Sequence, residues 1–214
     1  MFRVFDSRTD IQNLIIRPDI RARFLRMEPG EANVVHSHDL GEEIFLVLEG
    51  QAEFEIEGHC EILGPGQLCF AARDELHLVR CVGDQPMTMY LSVTPHIEPT
   101  HTWWGDDGAK LSPRYGGSTR AERAERTGES PAITDLAELH LAAVAAVEES
   151  LSRAVSAQQD GAKALLLAVG GDDAEATKRA VDQMWEALYP AFSAGRDMPG
   201  SWNELAAHAA SEDE

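Results

Sequence analysis

The sequence predicts a mainly β domain followed by an α-helical extension, and three observations lead to this prediction. Residues 1–100 hold most of the β-branched and aromatic residues, with turn signals at intervals of roughly 8–12 residues. Residues 101–132 are rich in Gly, Ser, Thr and Arg, a composition typical of connecting segments. Residues 133–214 are rich in Ala, Leu and Glu, with apolar residues at helical spacing. We therefore expect a β-barrel, a connector and a helical C-terminal region with these bounds.

Composition narrows the function classes. The chain has 214 residues, 43% of them hydrophobic, with a formal net charge of −19 and a sequence pI near 4.7. Such acidity argues against a nucleic-acid or membrane partner. No leading apolar segment or long apolar run is present, so we expect a cytoplasmic protein. The three cysteines, Cys60, Cys69 and Cys81, lack CxxC spacing, which favours neither a disulfide framework nor a zinc ribbon.

Short antiparallel strands are predicted through most of the first segment. Alternation is clearest in residues 51–57, where Ala52, Phe54 and Ile56 are expected to face inward. Residues 44–48 are apolar on both faces, which indicates a strand that is covered on both sides. About eight such strands form a sandwich or barrel. The predicted strands are residues 20–28, 32–38, 44–48, 51–57, 60–63, 68–71, 76–82 and 87–93.

Residues 30–50 contain candidate metal ligands. His36 and His38 are one residue apart, so on a strand their side chains point to the same face and can address one point. A short glycine-containing turn then leads to a return strand. A carboxylate at the start of that strand, Glu42 or Glu43, would face the histidines. This pattern predicts a metal site at the barrel wall.

The same stretch resembles the first motif of the cupin superfamily. That motif reads Gly, five residues, His-x-His, three or four residues, Glu, six residues, Gly. The corresponding positions here are Gly30, His36, His38, Glu43 and Gly50. The distance to the second glycine selects Glu43 from the pair of carboxylates.

A second motif of the superfamily follows downstream with substitutions. It reads Gly, five residues, Pro-x-Gly, two residues, His, three residues, Asn. The chain keeps the glycine and the histidine as Gly66 and His77. It places Ala72, Asp74 and Cys81 where the motif has Pro, Gly and Asn, so the loop before His77 is expected to differ in shape.

Over residues 20–95, the resemblance implies a double-stranded β-helix, or jelly-roll, barrel. Similarity to metal-binding cupins implies His36, His38, Glu43 and His77 as metal ligands. Three neutral imidazoles and one carboxylate suit a divalent transition metal, and Fe, Mn, Ni, Zn, Co and Cu all remain open. With such an ion the site keeps a net positive charge, which suits an anionic or enolate-like ligand.

The resemblance implies a dioxygenase-type oxidoreductase that acts on a small organic substrate. In that reading Glu43 doubles as a base, while other catalytic residues are unknown. One alternative is a non-catalytic barrel that binds or senses a small ligand. Another is an isomerase, although the sequence shows no acid/base pair beyond the ligands.

Strand parity predicts the walls of the ligand pocket. Residues that share the face of Glu43 or His77 should point into the barrel, which makes the pocket mostly apolar. Cys81 is expected to be a small buried hydrophobe, with a reactive thiol as the alternative. The expected lining residues are Phe45, Val47, Phe54, Phe70 and Cys81.

The connector begins with aromatic residues that are costly to expose. Trp103 and Trp104 are expected to anchor it to the barrel, with stacking on a ligand as the alternative. His96 and His101 flank Pro99, and either could approach the barrel mouth. We do not expect either histidine to be functional.

The helical region is predicted to contain three helices. The first spans residues 135–169 with a possible break at Gly161, the second spans residues 172–192, and a short third helix starts at Ser201. Amphipathic helices cannot bury their apolar stripes alone. We expect a structural or dimerising appendage, with a lid over the barrel mouth as the alternative. The apolar outward face of residues 44–48 also needs a cover, which the second sheet, the C-terminal helices or another subunit could provide. Because cupins commonly pair through sheet edges and outer faces, the resemblance implies a homodimer.

Overall fold

The computed structural model describes residues 2–210. The chain forms two compact units. One unit ends at Ser130 and is rejoined by the chain from Ala206, and the other is Pro131–Leu205. The first unit holds the strands and the second holds two long helices, which confirms the predicted mainly β domain with an α-helical extension.

Two five-stranded antiparallel sheets form the first unit. Their orders are β1-β2-β9-β4-β7 and β10-β3-β8-β5-β6, and neighbours that are distant in sequence give the jelly-roll pattern. The strands are β1 Asn13–Arg17, β2 Ile20–Met27, β3 His36–Ser37, β4 Glu42–Glu49, β5 Gln51–Ile56, β6 His59–Leu63, β7 Leu68–Ala71, β8 His77–Val82, β9 Met87–Thr94 and β10 Thr102–Trp103.

Strands β1 and β10 are missing from the sequence prediction. Strand β1 pairs with β2, and β10 pairs with β3. Strand β10 lies in the segment that the sequence analysis treats as a connector, and it has only two residues. A strand of that length has no alternation that a sequence pattern can reveal. The connector therefore contributes directly to a barrel sheet.

The inner faces of the two sheets enclose the hydrophobic core, and the alternation predicted for residues 51–57 is present. Ala52 and Phe54 of β5 are buried and Ile56 packs against them. Gly50 allows the tight entry into β5. It has φ +70, and a Cβ there would lie 2.4 Å from the carbonyl oxygen of Pro86.

Phe70 lies on the outer face of β7, so the expectation that it faces inward is wrong. It is 59% exposed, whereas Ala71 is buried. In the β4–β7 pair Phe70 is opposite Ile44, and Cys69 is opposite Phe45. Directly opposed residues share a face, so Phe70 joins the outward face of β4. Four apolar residues in a row hide this parity in the sequence.

The first unit also contains helix α1, Ser118–Thr127. Glu122 of α1 accepts a hydrogen bond from Arg17 of β1 at 3.0 Å. A cleft of about 760 Å³ lies between β1 and α1.

The second unit is a helical hairpin of α2, Ile133–Gly170, and α3, Ala174–Ala206. Two contact regions show that the helices run antiparallel: His140 Nδ1 lies 3.0 Å from Ser201 Oγ, and Gln158 donates to the carbonyl oxygen of Met184. The expected third helix is wrong, because α3 continues through Ser201, and a 3-10 turn at Ala207–Ala209 follows.

Helix α2 shows no break at Gly161. That glycine is buried where Met184 of α3 crosses it, and a Cβ would lie 2.2 Å from Met184 Cγ. The glycine marks a close approach of two helices, which a sequence pattern cannot distinguish from a helix break.

The hairpin buries small residues and exposes large ones. Apart from Leu136, the buried residues of α2 are Ser150, Ala154, Gly161 and Ala168. None of the helices in residues 2–210 combines the length and apolar character that a membrane span requires. The exposed large apolar side chains include Leu141, Leu151, Val155, Leu166, Leu167, Val169, Trp185, Tyr189 and Phe192.

Candidate metal centre

Four buried side chains from both sheets converge inside the barrel. His36 begins β3 and lies directly opposite His77 of β8, while His38 follows β3 and Glu43 comes from β4. One candidate ligand atom from each of the four lies within 4.8 Å of the others. The ring centroids of His36 and His77 are 4.4 Å apart, and each is 5.3 Å from that of His38. Glu42 is exposed on the opposite face of β4, as strand parity predicts.

Backbone carbonyls hold all three imidazoles in the same way. Nδ1 of His36 donates to the carbonyl oxygen of Val34 at 2.8 Å, and Nδ1 of His77 donates to that of Glu75 at 2.9 Å. Nδ1 of His38 donates to the carbonyl oxygen of Thr100. This arrangement places the proton of each neutral ring on Nδ1 and leaves the Nε2 lone pair free for a metal ion.

Glu43 completes a cluster of electron-pair donors. Its Oε2 lies 2.9 Å from His38 Nε2 and 3.2 Å from His77 Nε2. If both imidazoles carry their proton on Nδ1, each of these contacts joins two acceptor atoms. Acceptors at such distances need a cation among them, either a proton or a metal ion. The donor set is therefore compatible with a divalent transition metal.

Burial and neighbouring charges set the protonation states in the cluster. Burial alone would raise the pKa of Glu43, but its close contacts with His38 and His77 outweigh burial and hold that pKa well below its usual value. Burial and then the neighbouring His77 lower the pKa of His36 to about 4. At neutral pH Glu43 is therefore ionised and His36 is neutral, as metal ligation requires.

A cavity of about 180 Å³ opens beside the cluster. His36 and Glu43 contribute to its wall, and Phe45, Met89 and Leu91 give it an apolar surface. The cavity is smaller than the usual range for drug-sized ligands, which indicates a small ligand. The larger cleft between β1 and α1 contains none of the four clustered residues.

The structure revises most of the expected pocket lining. Phe45 lines the cavity, but Val47, Phe54 and Cys81 lie in the hydrophobic core away from it, and Phe70 faces outward. The core residues have the correct inward parity but sit further along their strands than the cavity. Cys81 is buried and its thiol donates to the carbonyl oxygen of Gln85, which is consistent with a packing role.

Sequence reasoning gave little weight to two aromatic residues at the site. His101 and Trp103 both line the cavity, with ring centroids 5.4 Å apart in a stacked arrangement. The ring of His101 lies 4.9 Å from that of His36. Burial, and then the nearby His36, lower the pKa of His101 to about 2, so its ring is neutral. Trp104 anchors the segment by donating from Nε1 to Ser37 Oγ at 3.1 Å.

Sequence reasoning missed two arginines in the cavity wall, Arg21 and Arg23 of β2. They share strand parity with Leu25 and Met27, which also line the cavity. That parity is the signal that could have found them. It was overlooked because arginine in a strand normally faces solvent.

Two sheets around a buried cluster of three histidines and a glutamate define a β-barrel with a candidate metal site. Residues 23–94 match the family model of the cupin domain, and the barrel is a cupin domain. The match ends before β10 and the helices. A comparison with curated proteins finds no match.

Solved structures with a similar barrel come from several organisms. A Klebsiella pneumoniae protein with a double-stranded β-helix domain is 20% identical, with 44% of this chain and 91% of that chain covered at a TM-score of 0.42. An RmlC-like cupin from Shewanella frigidimarina is 20% identical, with 41% and 77% covered at a TM-score of 0.38. KdgF from Halomonas sp. is 23% identical, with 41% and 79% covered at a TM-score of 0.38.

Proposed function

We propose that the barrel binds one divalent transition-metal ion through His36, His38, Glu43 and His77, next to a cavity for a small organic ligand. The observation that carries this proposal is the common orientation of the imidazoles. Each donates Nδ1–H to a backbone carbonyl, and the Nε2 atoms of His38 and His77 point at Glu43. Histidines that bind a metal through one ring nitrogen almost always donate the other N–H to a carbonyl or carboxylate, and all three rings have this arrangement.

The reaction we propose is a dioxygenase-type oxidation. A bound ion supplies Lewis-acid polarisation of the ligand and, when it is redox-active, electron transfer. The chain's own residues bind and orient the ligand in a confined space. Phe45 and Leu91 exclude water, and the neutral ring of His101 faces the same cavity as a hydrogen-bonding group. Glu43 is engaged by two histidines, so His101 is the better placed hydrogen-bonding partner for a ligand.

Metal analysis of the purified protein tests the first part. We expect about one ion per chain in the wild type and in His59→Ala, whose histidine is exposed on β6. His77→Ala should bind metal at least about 10- to 100-fold more weakly, the range for losing even a supporting partner of a ligand. Unchanged metal content in His77→Ala would show that the ligand set is wrong.

Oxygen uptake tests the second part. The metal-loaded protein is supplied with catechols, flavonols and β-diketones. Uptake that depends on the metal and is lost in His77→Ala supports the dioxygenase. Ligand binding without turnover supports a non-catalytic binding or sensing barrel, and conversion without oxygen uptake supports an isomerase.

We also propose a homodimer, and the outer face of the β4–β7 pair supports it. Ile44, Leu68 and Phe70 are exposed there, and β7 is an edge of its sheet. An exposed apolar face that reaches a sheet edge suits a second copy of the same chain. Sedimentation should show a dimer that Phe70→Glu dissociates, and a monomeric wild type would contradict this part. A cytoplasmic location stays a prediction.

A further inference from the structure

We infer that the ligand of the barrel is a small organic acid whose carboxylate is bound by Arg23, with Arg21 and Trp103 beside it. The inference deepens the proposed function, because it assigns a chemical class to the ligand of the same cavity. It concerns the chain's own hydrogen-bond donors and can be tested with or without the metal.

The first observation is a pair of donors that lack acceptors. Arg23 Nε and Trp103 Nε1 are both buried, and neither has a hydrogen-bond partner in the part of the chain that the structure describes. A buried N–H without an acceptor costs roughly 1–3 kcal/mol, more when the group is charged. Both residues line the same cavity. An acceptor that enters the cavity can relieve both costs, which makes their common position informative.

The second observation is the charge of the wall. Arg21 and Arg23 both line the cavity, and Glu43 is the only carboxylate among the described residues that line it. That carboxylate is already engaged by His38 and His77. Within residues 2–210, the hydrogen bonding of Arg21 is limited to a long 3.4 Å contact from Nε to Asn13 Oδ1. The wall therefore carries uncompensated positive charge inside a protein of formal net charge −19.

Strand register places this charge next to the candidate metal site. In the sheet, Arg21 is paired with Val93, and Val93 is paired with Glu43 on its other side. Arg23, Leu91 and Phe45 form the next row in the same manner. Strand β9 lies between β2 and β4. Neighbouring strands are about 4.8 Å apart, so the backbone of the arginines is roughly 10 Å from that of Glu43. A ligand of a few non-hydrogen atoms spans that distance.

These features favour a carboxylate over a neutral acceptor. Guanidinium binds a carboxylate through charge-assisted and often bidentate hydrogen bonds, which are about twice as strong as neutral ones. The remaining wall is apolar, with Leu25, Met27 and Met89 among its residues. The expected ligand thus has one carboxylate at the arginines and a short apolar body.

Calorimetric titration with acid and amide pairs tests the inference. Acetate, pyruvate and benzoate are compared with acetamide, pyruvamide and benzamide, on both metal-loaded and metal-free protein. We expect at least one acid to bind roughly 10- to 100-fold more tightly than its amide, the range for a hydrogen bond to a charged group. The preference should remain in part when metal is absent.

The matched variants are Arg23→Met and Arg26→Met. Both remove an arginine from β2, but Arg26 is exposed on the other face, where it contacts Glu28. Arg23→Met should lose the acid preference and leave amide binding unchanged, while Arg26→Met should keep both. Arg23→Lys should restore part of the preference, and Trp103→Phe should weaken acid binding less than Arg23→Met. Thermal unfolding checks that each variant is folded.

The outcomes separate this inference from the proposed function. If the wild type holds metal but no acid binds better than its amide up to 10 mM, or if Arg23→Met behaves like Arg26→Met, the inference is overturned and the metal site stands. If the wild type holds no metal yet Arg23 still sets an acid preference, the metal proposal fails and the carboxylate site stands.

Discussion

The barrel and the helical hairpin bury opposite kinds of side chain. The barrel core contains Phe45, Phe54 and Met89, whereas the buried positions of the hairpin are mainly Ala, Ser and Gly. The hairpin's large apolar residues, such as Trp185 and Leu167, are exposed instead. Burial of large side chains provides most of the hydrophobic stabilisation of a fold. The barrel thus contains its own stabilising core, while the hairpin leaves most of its large apolar side chains exposed.

The largest expected effect contrasts two phenylalanines of the barrel unit. Phe54→Ala removes a ring that is 3% exposed and should lower the free energy of unfolding by about 3–5 kcal/mol. Phe70→Ala removes a ring that is 59% exposed and should change it by about 0.5 kcal/mol or less in the monomer. Urea unfolding measures both variants. Equal losses would contradict the assignment of Phe70 to the outer face.

We expect acidic pH to lower the stability of the metal-free barrel. His36 has its pKa lowered from 6.5 to about 4, and His101 has its pKa lowered from 6.5 to about 2. A histidine with a lowered folded-state pKa contributes stability that is complete above pH 6.5 and is lost as pH falls towards the folded pKa. From pH 6.5 to 4.5 the metal-free barrel should lose up to about 3 kcal/mol for each such histidine.

Hydrogen exchange resolved by peptide checks this pH dependence. Protection should fall in the strands between pH 6.5 and 4.5 after correction for intrinsic exchange. His101→Phe should flatten the profile, and the exposed His59→Phe should not. A barrel whose protection is constant over this range would contradict the neutral state of the buried imidazoles.

The smallest effect concerns the close helix contact. Gly161→Ala places a Cβ 2.2 Å from Met184 Cγ, and such overpacking costs about 1–3 kcal/mol, offset by up to about 1 kcal/mol of helix propensity. Gly170→Ala is the control, because no atom lies within 4 Å of its Cβ position. Thermal unfolding followed by helical circular dichroism should show a loss in the first variant alone. The double variant Gly161→Ala with Met184→Ala should recover part of the lost thermal stability. If Gly161→Ala is instead more stable than the wild type, the two helices are not in close contact there.

Features that depend on a local sequence pattern could be predicted from the sequence. Strict alternation predicted the inward face of β5, and the resemblance to the cupin motifs implied His36, His38, Glu43 and His77, which the structure brings together. Strand β10 could not be predicted, because its two residues are too few to show the alternation of apolar and polar side chains that marks a strand. The outward position of Phe70 depends on the β4–β7 register, which an unbroken apolar run does not encode.

The helical region shows a different limit. Helical periodicity predicted long amphipathic segments correctly, but a break was expected at Gly161 and a new helix at Ser201, where α2 and α3 continue. Pro190 and Pro199 both lie inside α3, and Gly161 lies inside α2. Packing against nearby elements of the fold decides whether such a residue ends a helix. The periodicity of a sequence contains no information about that packing.

The carbonyl groups that hold the imidazoles give the site an unusual tolerance to mutation. The acceptors are the backbone oxygens of Val34, Glu75 and Thr100, and every amino acid supplies such an oxygen. Related sequences are therefore free to differ at these three positions while the rings keep the same tautomer. A search for shared residue types would miss this support, although the support is common to every member that keeps the backbone path.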